Sequence, residues 1–228
     1  MNFVQKLKNC HDEGVTIAFL GDSVTHGCFE IGVDDPQSGY AQIFADTLRY
    51  LFPKTTVRTV NAGISGDHAR NGAKRVAEDV VRHAPDLTVV CYGLNDCGES
   101  EIYAARYVRA LGEIFDQLRA CGSEIIFMTP NMMNTYVDEN MIAAEFLSFA
   151  QGTMTRQNAG VFDAHLNAAK ALCREKGVPV CDCYAIWKSL AENGVDTTAL
   201  LCNRINHPSR EMHKVFAYEL VKTLMTEA

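Results

Sequence analysis

Four short segments of this chain carry residue types that together suit acyl transfer. They are Gly21-Asp22-Ser23, Asn61-Ala62-Gly63, Gly93-Leu94-Asn95-Asp96 and His207-Pro208. A serine hydroxyl is a weak nucleophile until a base takes its proton, and Ser23 stands where Gly21 permits a tight turn. The glycine at 63 lets a backbone N–H approach a ligand closely, and the Asn95 amide offers a second donor toward a developing oxyanion. Removing one such donor typically raises the barrier by ~3–4 kcal/mol. Seven histidines could supply the base. His207 precedes a proline, which drives its backbone toward extended conformations and presents the ring from a loop ahead of the last helix. His26 is near Ser23 in sequence, whereas His11, His68, His83, His165 and His213 lie in helix-like or terminal settings and read as surface or structural. Each segment alone also has an ordinary reading as a turn or cap.

The elements around these segments decide whether they can meet. Short apolar runs at residues 15–20, 56–60, 87–92, 125–128 and 178–181 read as strands. Helical patterns occupy 39–51, 69–83, 104–118, 159–176 and 212–224. In one of them Ala104, Tyr107, Val108, Leu111, Phe115 and Leu118 share a face, with Ser100 as N-cap and Gly122 closing the far end. Residues 131–157 read as loop mixed with helix. Nearly continuous apolar strands alternating with helices predict a parallel sheet covered on both faces. Ligands then bind outside the carboxyl ends of the strands, where the first three segments fall.

The 228 residues are 47% hydrophobic and 21% charged, which suits one domain over 1–228. A net charge of −7 argues against nucleic acid as a partner. The first twenty residues do not read as a signal peptide, and no apolar run approaches the ~18 residues a membrane span requires. The expectation is a cytoplasmic protein without a membrane partner. Nine cysteines read as free thiols. The Cys181-Asp-Cys183 spacing does not suit zinc. Residues 21–27 hold no P-loop lysine, which argues against a nucleotide site.

The four segments, in this order and at these strand ends, resemble the blocks of the SGNH hydrolases, also called GDSL-type esterases and lipases. The matching strings are IAFLGDSVTHG, VNAGISGD, CYGLNDCG and INHPS. The resemblance covers essentially the whole chain. It implies a three-layer α/β/α, flavodoxin-like fold with a five-stranded parallel sheet. It also implies Ser23 as nucleophile and His207 as general base and then acid. The Ser23 N–H, Gly63 N–H and Asn95 amide would form the oxyanion hole, with no metal and no cofactor.

One position departs from the family pattern. Where an aspartate three residues before the histidine usually orients the ring, this chain has Arg204, which cannot accept the imidazole N–H. The replacements open to it are an amide oxygen from Asn203 or Asn206, a backbone carbonyl, or a remote acid such as Asp196 or Asp182. A Ser–His dyad with a neutral acceptor is favoured. The functional expectation is a serine esterase for short acyl groups, acetyl foremost, acting on a small-molecule ester such as an acetylated sugar. A lysophospholipase or thioesterase, and a weakly active or non-catalytic binding module, are the alternatives. The Met- and aromatic-rich stretch 131–157 is expected to wall the pocket, as a lid or as a contact in a homo-oligomer.

Overall fold

The computed structural model describes residues 2–10 and 12–226; His11 lies outside them. Its frame is a parallel sheet of β1 (Val15–Gly21), β2 (Val57–Gly63), β3 (Leu87–Cys91), β4 (Glu124–Met128) and β5 (Val180–Cys181), in the order β2-β1-β3-β4-β5. The period of two sorts side chains between two cores. Val15, Ile17 and Phe19 of β1 face one helical layer, while Ala18 and Leu20 face the other. In β4, Ile126 and Met128 divide from Ile125 and Phe127 in the same way.

The first layer contains α1 (Asn2–Asn9), α3 (Tyr40–Leu51), α8 (Cys183–Glu192) and α9 (Arg210–Thr226). The second contains α4 (Ala69–Asp79), α5 (Glu101–Ala120) and α7 (Val161–Lys176). A single-turn α2 (Ser23–His26) follows β1, and α6 (Leu147–Asn158) precedes α7. The result is the three-layer α/β/α arrangement. No helix of the described residues is long and apolar enough to cross a membrane.

The elements differ from the sequence pattern in identifiable places. β2 continues to Gly63, so Asn61 and Gly63 are strand residues rather than turn residues; as an edge strand it lacks a clean apolar run. The helix expected over 159–176 is α7, which starts two residues later, after Gly160 at φ 71°, and α6 supplies the helical part of the mixed stretch before it. β5 is only two residues long, because Pro179 has no N–H to extend the ladder. The charged α1 and the polar-interrupted α8 were not anticipated.

The register positions the site. Gly21 pairs with Gly63 on one side and Cys91 on the other, so the carboxyl ends of β2, β1 and β3 finish level. From β1 the chain leaves to β2 on one flank and later returns to β3 on the other, which creates the crevice typical of a topological switch point. Gly63 is required there because α2 lies directly on it. A Cβ at 63 would sit 2.2 Å from the His26 nitrogen. Backbone cannot yield as a flexible side chain can, so Gly63→Ala is expected to destabilise the protein by about 3 kcal/mol or more, measured by urea unfolding.

Candidate active site

Gly21, the last residue of β1, has no room for a side chain, because a Cβ there would collide with Thr25 Oγ1 and the Cys91 carbonyl. Asp22 then leaves the strand and caps α2, its Oδ1 accepting from the Val24 N–H at 3.0 Å. This places Ser23 first in the helix, where its N–H has no intrahelical acceptor. Gly27, at φ 98°, ends α2 after one turn. A small hairpin follows. The Phe29 N–H donates to the Val33 carbonyl at 2.9 Å, and the Asp35 N–H donates to the Gly27 carbonyl at 2.8 Å.

His207 arrives from the other end of the chain. Its Nε2 lies 3.0 Å from Ser23 Oγ, and its Nδ1 lies 2.7 Å from the Phe29 carbonyl oxygen. A carbonyl can only accept, so the proton sits on Nδ1 and Nε2 is left to accept the serine O–H. Burial lowers the His207 pKa below the ordinary 6.5, against the opposing pull of the Phe29 carbonyl and the Asp34 charge. The ring is therefore neutral at neutral pH.

The loop carrying His207 is organised by Asn203. Its Oδ1 accepts from the N–H groups of Ile205, Asn206 and His207 at 3.0, 2.9 and 2.9 Å, while its amide donates to Asn206 Oδ1 at 2.9 Å. Neither asparagine amide oxygen faces the imidazole. Asp196 accepts from the Tyr136 hydroxyl at 2.8 Å and the Ala199 N–H at 3.1 Å. Asp182 caps α8 and accepts from Thr129 Oγ1 at 2.9 Å and Lys170 at 3.0 Å. All four side chains considered as ring partners are thus engaged elsewhere, and a backbone carbonyl from the α2 side takes that place. Arg204, at φ 58°, points toward Asp138 at 3.8 Å.

In the segment after β4, Met132 and Met133 are buried in the core, and its polar groups hold the histidine loop. The Asn131 amide donates to the Asn206 carbonyl, and the Asn134 N–H donates to the Ile205 carbonyl, both at 2.8 Å.

On the oxyanion side, Asn95 Nδ2 donates one hydrogen to the Asp67 carbonyl at 2.8 Å and retains its second. The Gly63 N–H is engaged by Asn61 Oδ1 at 2.9 Å, and the Asn61 amide donates to the Thr25 carbonyl at 2.9 Å.

Beneath these groups lies Arg75 of α4, for which no motif gave a signal. Its guanidinium donates to the Ala62 carbonyl at 2.7 Å, the Gly21 carbonyl at 3.1 Å and the Tyr92 hydroxyl at 2.8 Å. It pairs with Asp67 at 2.8 Å and Asp79 at 2.9 Å. One cation thus ties β1, β2 and the segment following β3.

The remaining histidines within the described residues serve structure. Buried His213 accepts from the Tyr40 N–H at 3.0 Å, and burial pushes its pKa down to about 3. His165 bonds the Val161 carbonyl at 2.9 Å, and His68 caps α4. His83 accepts from Arg82 at 3.2 Å. His26 bonds the Gly63 carbonyl through Nδ1 at 3.0 Å.

The model of the GDSL-like lipase/acylhydrolase family matches residues 19–215. The protein belongs to that family of carboxylic ester hydrolases. It is 24% identical over 229 residues to an acetylxylan esterase of Geobacillus stearothermophilus, covering 92% of this chain and 94% of that one. The solved structure of that organism's esterase, Axe2, superposes with a TM-score of 0.70 at 22% identity, over 92% and 94% of the two chains. LAE5, an alpha/beta hydrolase from the metagenome of Lake Arreo, Spain, has a TM-score of 0.70 at 20% identity with the same coverage. Catalytic mutants of Axe2 have been solved at a serine, an aspartate and a histidine, the last two three residues apart in that chain.

Two buried carboxyls underlie the site. Burial pushes both Asp22 and Asp96 up to about 7, and one oxygen of each has no hydrogen-bond partner. The folded state holds the Asp22 proton more tightly than the unfolded chain, whose value is 3.8. Stability from this group is therefore present at low pH and lost as pH rises through about 7. Asp22→Asn removes this dependence while the amide oxygen can still accept from Val24. The variant's stability relative to wild type should rise between about pH 5 and 7, by up to ~1.4 kcal/mol per unit, in denaturant titrations at each pH.

Proposed function

We propose that this protein is a serine esterase that removes acetyl groups from acetylated sugars or oligosaccharides, acting in the cytoplasm. The observation that carries the catalytic reading is the Ser23 Oγ to His207 Nε2 contact of 3.0 Å, on a ring whose Nδ1 is committed to the Phe29 carbonyl. His207 accepts the Ser23 proton as the oxygen attacks the ester carbonyl, then delivers it to the leaving alcohol. Water, activated by the same ring, releases acetate from the acyl-enzyme. The Ser23 N–H and the second Asn95 hydrogen receive the oxyanion. The Gly63 N–H joins them by sharing its hydrogen with Asn61 Oδ1.

A carbonyl acceptor changes the energetics in a definite way. In serine proteases, replacing the triad aspartate by asparagine lowers turnover ~10⁴-fold, largely through the wrong imidazole tautomer. Phe29 cannot impose that tautomer, because its carbonyl has no hydrogen to donate. What is lost is the direct carboxylate partner of the imidazolium; the carbonyl dipole and the Asp34 charge supply part of that stabilisation.

The acetyl and sugar assignment rests on the acetylxylan esterase relative. Six buried and three partly buried free cysteines suit a reducing compartment.

Wild-type protein should release acetate from acetylated xylo-oligosaccharides, followed by mass spectrometry, and Ser23→Ala should abolish release while the circular dichroism spectrum persists. Rates on p-nitrophenyl esters should fall steeply beyond acetyl; a preference for long chains would refute the substrate assignment. The acid limb of kcat/KM should lie below pH 6.5, because the lowered His207 pKa keeps the base neutral to lower pH. Asp196→Asn should leave kcat within roughly twofold, since that carboxylate faces Tyr136; a loss as large as that of His207→Ala would place an acid in the relay.

A further inference from the structure

The hairpin that presents the Phe29 carbonyl also brings together three side chains that make no hydrogen bond to Ser23 or His207. Cys28 and Asp34 face each other across an antiparallel bridge. The flanking bonds, Phe29 N–H to Val33 O and Asp35 N–H to Gly27 O, make 28 and 34 a non-hydrogen-bonded pair. In such a pair the side chains stand closest on one face. His26, in the last turn of α2, projects to the same place, with Nε2 3.8 Å from Asp34 Oδ2. The imidazole nitrogen, the thiol sulfur and a carboxylate oxygen all lie within 4.8 Å of one another.

From this geometry we infer that His26, Cys28 and Asp34 form a binding site for a zinc ion, three protein ligands with water in the fourth position. Nitrogen, sulfur and oxygen are the donors zinc takes, and three ligands with one open position is a recurrent zinc arrangement. An independent feature supports it. His26 Nδ1 lies 3.0 Å from the Gly63 carbonyl, which places the ring proton on Nδ1 and leaves Nε2, the nitrogen facing Asp34, as a free lone pair. Metal-binding histidines are oriented in this way by their outer nitrogen.

Tetrahedral zinc bonds of about 2.0–2.3 Å separate donors by roughly 3.3–3.8 Å, so the cluster must close slightly. The His26 and Asp34 side chains are 38% and 59% exposed and can rotate inward onto the buried Cys28. As the Zn–S bond forms, the Cys28 proton leaves to solvent. An ion held there would link α2 to the hairpin that positions the Phe29 carbonyl.

The test uses the full-length protein after treatment with a chelator, titrated with Zn²⁺ by calorimetry and with Co²⁺ by near-ultraviolet absorption. One equivalent of Zn²⁺ should bind, and Co²⁺ should give a sulfur-to-metal charge-transfer band. Cys28→Ser should remove the band and weaken Zn²⁺ by at least about tenfold. Asp34→Asn, at an exposed position that the fold tolerates, should weaken Zn²⁺ to a similar degree while keeping the band. Cys202→Ser, at a partly buried cysteine outside the cluster, should change neither. Absence of saturable binding, a band that survives Cys28→Ser, or unchanged affinity in Asp34→Asn would each overturn the assignment.

Discussion

The site depends on the carboxyl ends of β1, β2 and β3 being held level, and the Arg75 guanidinium does much of this work. Arg75 donates to two carbonyls there, that of Ala62 and that of Gly21, which also accepts from the Ile64 N–H, and reaches the Tyr92 hydroxyl just past β3. A buried cation needs compensating charge, and Asp67 and Asp79 supply it. Asp67 in turn offers its backbone carbonyl to the Asn95 amide. The same network that neutralises the arginine therefore aims the oxyanion-side asparagine.

A second constraint concerns the histidine. In place of a carboxylate on its own loop, His207 uses the Phe29 carbonyl, so its orientation depends on how firmly residue 29 is held. The buried Phe29 ring lies 4.8 Å from the His213 ring, centroid to centroid, and the Arg210 guanidinium stacks 4.2 Å above it. Arg210 is itself fixed by Glu30 at 3.0 Å and Asp35 at 3.4 Å, both on the same hairpin. Side-chain packing by α9 thus substitutes for an acid in setting the tautomer. Because α9 directly follows the histidine loop, one segment carries the base and clamps its acceptor.

Much of the architecture was legible in the residues. Val15, Ile17 and Phe19 against Ala18 and Leu20, with the apolar runs of β3 and β4, announced a sheet buried on both faces. Ser100 and the spacing from Ala104 to Leu118 announced α5. Less legible were β2, whose edge position leaves polar residues in the strand, and the limits of α6, whose buried positions Ala150, Thr153 and Gln157 are mostly polar.

The local sequence determined which residues were available for acyl transfer: a serine after Gly21-Asp22, a glycine ending the next strand, an asparagine after the third and a histidine before proline. These are properties of short segments, set by turn chemistry and by residue type. It also determined that no aspartate stands at 204. What orients His207 was decided only by the tertiary structure, because the acceptor is a main-chain carbonyl 178 residues away. Every residue carries such a carbonyl, so no residue type marks it. Arg75 was hidden for a related reason, since a helical arginine reads as solvent-exposed until the sheet ends it serves are folded around it. The engagement of Asn203, Asn206, Asp182 and Asp196 elsewhere follows the same logic: their reach depends on which groups the folded chain places within hydrogen-bonding distance.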